Sequence, residues 1–161
     1  MTVFHTIHLH TAAGVHYHPL VEQERDQALR DLQASALFLP VSGLMPPLTL
    51  ALGIEEDRLV FTLESLDTGA REAFPLTIKG LRGVVRDYFA ICESYNSLVH
   101  QGVTPCRLEA IDQGRRGVHD DGARQVMEAL RNKATVDLET ARRLFTLICI
   151  LHIRDQGGLH G

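Results

Sequence analysis

The sequence predicts an α+β fold: a small, mostly antiparallel sheet with one helix, in the order β-α-β-β-β, packed against a C-terminal module of three or four helices. Three observations carry this. Apolar residues alternate or run in short β-prone stretches as far as Leu76, they recur at three- and four-residue spacing from Leu81 onward, and Pro, Gly and acidic clusters separate the segments. The 161 residues suit one domain, with a mainly β half at 1–77, a helical half at 78–155 and a flexible tail expected at 156–161.

The elements follow in order. Thr2–His10 alternates, setting Val3, Ile7 and Leu9 opposite Phe4, His8 and His10, and reads as a strand. Pro19 to Leu37 reads as a helix. Pro19 suits the first helical position, Glu22 and Glu24 sit in the first turn, and Val21, Ala28, Leu29 and Leu32 form a stripe. Pro40, Gly43, Pro46 and Pro47 break the chain into a loop. Leu48–Ile54 and Leu59–Glu64 form a hairpin around the acidic turn at residues 55–58, and a third strand falls near Glu72–Leu76.

The period then changes. Leu81, Val84, Val85, Tyr88, Phe89, Cys92, Tyr95 and Val99 mark an amphipathic helix, with Thr77 as its N-cap. Thr104-Pro105 starts the next helix as N-cap and first-turn proline. Leu108, Ile111, Val118, Val126 and Leu130 keep a helical stripe, but Gly114, Gly117 and Gly122 interrupt it at a cost of ~1 kcal/mol each against alanine. Such a run invites a break, a close helix crossing or a backbone that approaches something; two helices with a joint between 114 and 122 are expected. Asp137 caps the last helix, whose core face is Leu138, Ala141, Leu144, Phe145, Ile148 and Leu151.

Composition excludes several classes. With 45% hydrophobic and 22% charged residues the chain can bury a core. The net charge is −4, so no global field recruits nucleic acid, and no nucleic-acid-binding signature accompanies the basic residues. Charge is uneven: residues 1–77 hold four basic and ten acidic side chains, residues 78–161 twelve and ten. The helical half is the better candidate to face an anion. The longest apolar stretch, Leu144–Ile153, is far short of the ~20 residues that span a bilayer. Cys92, Cys106 and Cys149 have no ligand or disulfide spacing and each falls on an expected apolar helix face. No secretory leader is evident, and a cytoplasmic protein is expected.

Three blocks carry a family resemblance: Asp87–Tyr95 (DYFAICESY), Leu108–Gly122 (LEAIDQGRRGVHDDG) and Thr140–His152 (TARRLFTLICILH). They resemble the bacterial, mainly alphaproteobacterial, uncharacterised protein family (UPF) number 0262, over roughly the last 75 residues and more weakly before them. The resemblance implies no particular activity, substrate or cofactor. Asp120-Asp121 stand where the family pattern has Asn-Glu, and the N-terminal histidines lie outside that pattern.

The candidate site residues lie in the second block. Glu109, Asp112, Arg116 and His119 fall along one side of a continuous helix, with Arg115 on the edge of the apolar stripe. One reading is an internal ion-pair network in which Arg115 or Arg116 is tied to Glu93, Glu109 or Asp112. A second is a site for a phosphate-like ligand or anionic partner, in which Arg115 and Arg116 offer planar donors and His119 a charge that switches near neutral pH. A third makes His119, with Asp112 and Glu109, an acid–base or metal site of a small enzyme. Arg142 and Arg143 on the last helix join the ligand-binding candidates, along with Glu93; one arginine of the pair is expected to point partly inward. Tyr88 and Tyr95 are expected in the core, their hydroxyls reaching polar neighbours. His8, His10, His16 and His18 form two HxH pairs that would bind a divalent metal if they met, and no other cofactor is expected. A non-enzymatic binding or regulatory module is the preferred reading, the alternatives being that enzyme or a structural protein–protein interaction domain docking through the loop at 40–47.

Overall fold

The computed structural model describes residues 2–10, 19–56, 58–77, 80–102 and 104–155. Its elements run β1 (Phe4–Leu9), α1 (Pro19–Ala34), β2 (Phe38–Pro40), β3 (Leu48–Glu55), β4 (Arg58–Ser65), β5 (Arg71–Leu76), α2 (Arg82–His100), α3 (Pro105–Leu130), β6 (Ala134–Val136) and α4 (Leu138–Asp155). The α+β class and the C-terminal module, here of three helices, are as the sequence predicts.

β3, β4 and β5 form an antiparallel meander, and β1 lies parallel to β3 at its outer edge. The parallel pair follows from α1, which lies between the two strands in sequence and returns the chain in the same direction. Alternation gives the sheet one buried face, made of Leu48, Leu50 and Leu52, Leu59, Phe61 and Leu63, and Phe74 and Leu76. In β1 the register shifts between Phe4 and Thr6. Phe4, expected on the same face as His8 and His10, is instead buried, while both histidines stay exposed. One extra residue in a bulge is enough to reverse the facing.

Two short strands escape the sequence reading. β2 follows α1, which ends at Ala34 rather than Leu37, and pairs antiparallel with β6 just before α4. Phe38, Ala134 and Val136 are buried along this ribbon. The Leu37 N–H donates to Thr140 Oγ1 at 2.9 Å, and the Val41 N–H donates to the Lys133 carbonyl at 2.9 Å. The end of α1 is thereby fastened to the start of α4.

α4 is the central helix. From Leu144 to His152 every side chain is buried, so it is covered on all sides, as expected of a helix apolar all round. Asp137 caps it: its Oδ1 accepts the Thr140 N–H at 2.9 Å, and hydrogen bonds from Thr140 hold the carboxyl below its ordinary value. His152 is buried within the helix, its Nδ1 2.9 Å from the Ile148 carbonyl oxygen.

Three local expectations are corrected. α3 is one continuous helix of 26 residues, not two. Gly122 sits where α3 crosses α4, and a Cβ there would lie 2.4 Å from the Phe145 ring, so this glycine marks a close crossing rather than a break. Thr77 does not cap α2, which begins after Leu81 without a side-chain cap. Thr104 does precede Pro105 at the start of α3, although its hydroxyl makes no capping bond. Cys106 is exposed, while Cys92 and Cys149 are buried. Among the described residues no helix is long and apolar enough to cross a membrane.

Candidate functional site: an arginine-lined cleft

The fastening of α1 to α4, and the close crossing of α3 over α4, leave a cleft of about 270 Å³ where the three helices meet. Its charged lining includes Glu24 and Asp31 from α1, Arg115 and Arg116 from α3, and Glu139, Arg142 and Arg143 from α4. Ala28, His119 and Thr146 supply uncharged surface. Four guanidinium groups from two helices therefore converge on one space.

Each arginine has a different degree of commitment. Arg115 is held most firmly, binding Glu24 through Nη1 and Asp112 through Nη2, with its guanidinium 5.8 Å from the Tyr95 ring centre. Burial disfavours its charge, but Glu24 and Asp112 outweigh that and hold its pKa above the ordinary value. Glu24 is raised, burial outweighing the attraction of Arg115. Arg116 is 69% exposed and, among the described residues, makes one ion pair, 3.1 Å from Nη2 to Asp112 Oδ2. Arg142 lies 3.5 Å from Asp120 through Nε and 3.3 Å from Glu139 through Nη1. Arg143 lies 3.3 Å from Asp31 through Nε and 3.6 Å from Glu139 through Nη2. Glu139 thus spans two arginines, one carboxylate oxygen on each, although its own side chain is 59% exposed.

His119 is placed differently from the sequence reading. Its ring lies between Tyr88, 5.2 Å away, and Phe145, 6.0 Å away in a T-shaped contact. Burial, reinforced by the charges of Arg115 and Arg142, pushes its pKa down to about 4. The imidazole is therefore neutral near pH 7, not a charge that switches there. Its Nε2 is buried and has no hydrogen-bond partner among the described residues.

The other candidates divide. Asp112 reaches the site as the shared partner of both α3 arginines. Glu109 and Glu93 are exposed and neither lines the cleft; the partner of Arg115 on another element is Glu24, 91 residues away. Arg142 and Arg143 are both half-buried at the cleft and both paired with acids, so the expected division into one inward and one solvated arginine does not appear. Tyr88 is a core residue, its hydroxyl without a hydrogen-bond partner of normal geometry. His8 is exposed on β1 and His10 just beyond its end, whereas His16 and His18 lie outside the described residues. Among the described residues no group of three His, Cys, Asp or Glu side chains could hold a metal ion.

Sequence reasoning overlooks Glu24, Asp31, Asp120 and Glu139. A signal exists for three of these: Glu139 precedes Arg142 and Arg143 by three and four residues, and Glu24 precedes Asp31 by seven, two turns along one helix face.

The model of the uncharacterised protein family UPF0262 matches residues 2–154. A UPF0262 protein of Cereibacter sphaeroides (strain ATCC 17029) is 48% identical over 137 residues, covering 82% of this chain and 86% of the relative. Those of Rhodopseudomonas palustris (strain BisA53) and Paramagnetospirillum magneticum are 46% and 44% identical over 134 residues, 83% of this chain and 82% and 85% of the relatives. No solved structure matches the chain.

Proposed function

This chain belongs to the uncharacterised protein family UPF0262, and we propose that it is a binding module whose arginine-lined cleft holds a small anion without covalent chemistry. The observation that carries this reading is Glu139. Its carboxylate bridges Arg142 and Arg143, one oxygen 3.3 Å from the first and the other 3.6 Å from the second, in the place a ligand carboxylate or phosphate would take. Exposed ion pairs are worth ~0–1 kcal/mol, so a ligand anion displaces the Glu139 side chain at little cost. Arg116, exposed and singly paired, can turn to the same ligand. Arg115 stays as scaffold, since both its terminal nitrogens are engaged.

Binding is favoured over catalysis by the state of the acid–base candidates. Both Asp112 oxygens are paired with guanidinium groups, Glu109 stands outside the cleft, and the His119 imidazole is too weak a base for proton abstraction near neutral pH.

The test is thermal denaturation and calorimetric titration of untagged protein with inorganic phosphate, short carboxylates and nucleoside monophosphates. A ligand at 100 times its Kd stabilises by ~2.7 kcal/mol, which for a chain of this size raises Tm by roughly 5–11 °C. Arg142→Ala should remove the shift. Glu139→Gln, which weakens the internal competitor, should increase affinity severalfold. If no anion at millimolar concentration shifts Tm in either wild type or Glu139→Gln, the reading fails.

A further inference from the structure

The arginines of the cleft are sorted into two groups, and two helices measure the gap between them. On α1, Glu24 holds Arg115 and Asp31 holds Arg143. These acids are seven residues apart, about 10 Å along a helix rising 1.5 Å per residue. On α3, Asp112 holds Arg115 and Arg116 while Asp120 holds Arg142. These are eight residues apart, about 12 Å by the same rise. Both helices therefore place one arginine pair, Arg115 and Arg116, roughly two turns from the other, Arg142 and Arg143. Between the two ends the lining is uncharged: Gln27, Ala28, Thr146 and the neutral His119.

We infer that the cleft selects a two-ended anion, two acidic groups about 10 Å apart joined by an uncharged middle. One acidic group replaces the Glu139 carboxylate between Arg142 and Arg143. The other is met by Arg116, whose exposed side chain has unused N–H donors beyond the one nitrogen bound to Asp112. The volume suits a small ligand. About 270 Å³ equals the space of roughly nine water molecules, enough for a small diacid. The inference rests on the anion-binding reading above and adds to it a length and a second contact.

A homologous series separates the two claims. Calorimetric titration of the full chain would use α,ω-dicarboxylates from malonate to sebacate, each beside the monocarboxylate of equal length. The expected result is an affinity maximum at an intermediate chain length, with the best diacid bound roughly tenfold or more tightly than its monoacid. Arg116→Ala should erase that preference, bringing the best diacid down to the affinity of its monoacid, and Arg116→Lys should restore part of it. Glu109→Gln, outside the cleft, should alter neither. Monoacids that bind and lose affinity in Arg142→Ala, with diacids no tighter and no length optimum, would overturn the two-ended inference while the anion site stands. A length optimum that survives intact in Arg116→Ala would overturn it too, by removing the second contact. Absence of binding by every acid in wild type and Glu139→Gln would defeat both.

Discussion

Replacing Gly122 with alanine should destabilise the protein even though alanine is the better helix former. A Cβ built there lies 2.4 Å from Phe145 Cδ1 and 2.5 Å from both Cε1 and Cγ. Carbon atoms in contact prefer ~3.5–4.0 Å, so the overlap exceeds ~1 Å. The ring has little room to yield. Phe145 is fully buried, and Tyr88 and His119 each contact it edge-on at 6.0 Å. The helices must part instead, a change that costs ~1–3 kcal/mol in a packed interior, and an overlap this deep belongs at the upper end. Helix propensity returns ~1 kcal/mol. The net loss is about 2 kcal/mol, or a Tm lower by roughly 4–8 °C for a chain of this size. Gly117→Ala is the matched control. A Cβ there meets nothing within 4 Å, so propensity acts alone and Tm should rise by roughly 2–4 °C. Circular dichroism melts and urea titrations of the two variants measure the contrast. Equal stabilisation by both would refute the close crossing and, with it, the account of why α3 is unbroken.

Further outcomes follow from the charged groups. Because burial holds His119 down at about pKa 4 against an ordinary 6.5, its unfolded form binds a proton that the folded form refuses. Its contribution is therefore intact above pH ~6.5 and is lost progressively as pH falls toward 4, by about 3 kcal/mol in all; urea titrations of wild type against His119→Leu should show the variant's pH dependence flattened in that window. Asp137→Ala should cost ~1 kcal/mol at pH 7 by uncapping α4. As the Asp137 pKa is depressed in the folded state, the gap between variant and wild type should close as pH falls below the ordinary value of 3.8. Arg115→Ala should cost about 2 kcal/mol, because it strands the half-buried Glu24 and Asp112 carboxylates. Arg131→Ala, which removes an exposed pair with Glu128, should change the denaturation free energy by less than ~0.5 kcal/mol.

What the sequence makes legible is what is local. Alternation in β3 and β4, the apolar stripe of α4 from Ala141 onward and the Asp137 cap with its N–H donor three residues on all depend on near neighbours, and all are present. Leu138, expected on that stripe, is exposed. β2 and β6 are three residues each, too short for alternation to register, and they exist because Phe38 meets Val136 nearly a hundred positions away. The site divides in the same way. Spacing along one helix brings Asp112, Arg116 and His119 to one side. It does not indicate that the long-range partner of Arg115 is Glu24 on α1, nor that α2 and α4 enclose the His119 ring with Tyr88 and Phe145. Periodicity detects the conflict posed by Gly122, but only the facing ring reveals its cause.

The central position of α4 also sets the order of events on the ribosome. Everything from β1 to β6 emerges before the helix around which it packs. At ~5–20 residues per second, the leucine-rich face of β3 and β4 waits some seconds for the hydrophobic surface that will cover it. During that interval the nascent chain is a natural client for chaperones that bind apolar segments. Asp31, made early, receives Arg143 only when α4 arrives, just as Glu24 waits for Arg115 on α3. The cleft is thus completed among the last steps of synthesis, and a chain interrupted before residue 138 would carry neither a finished core nor a site.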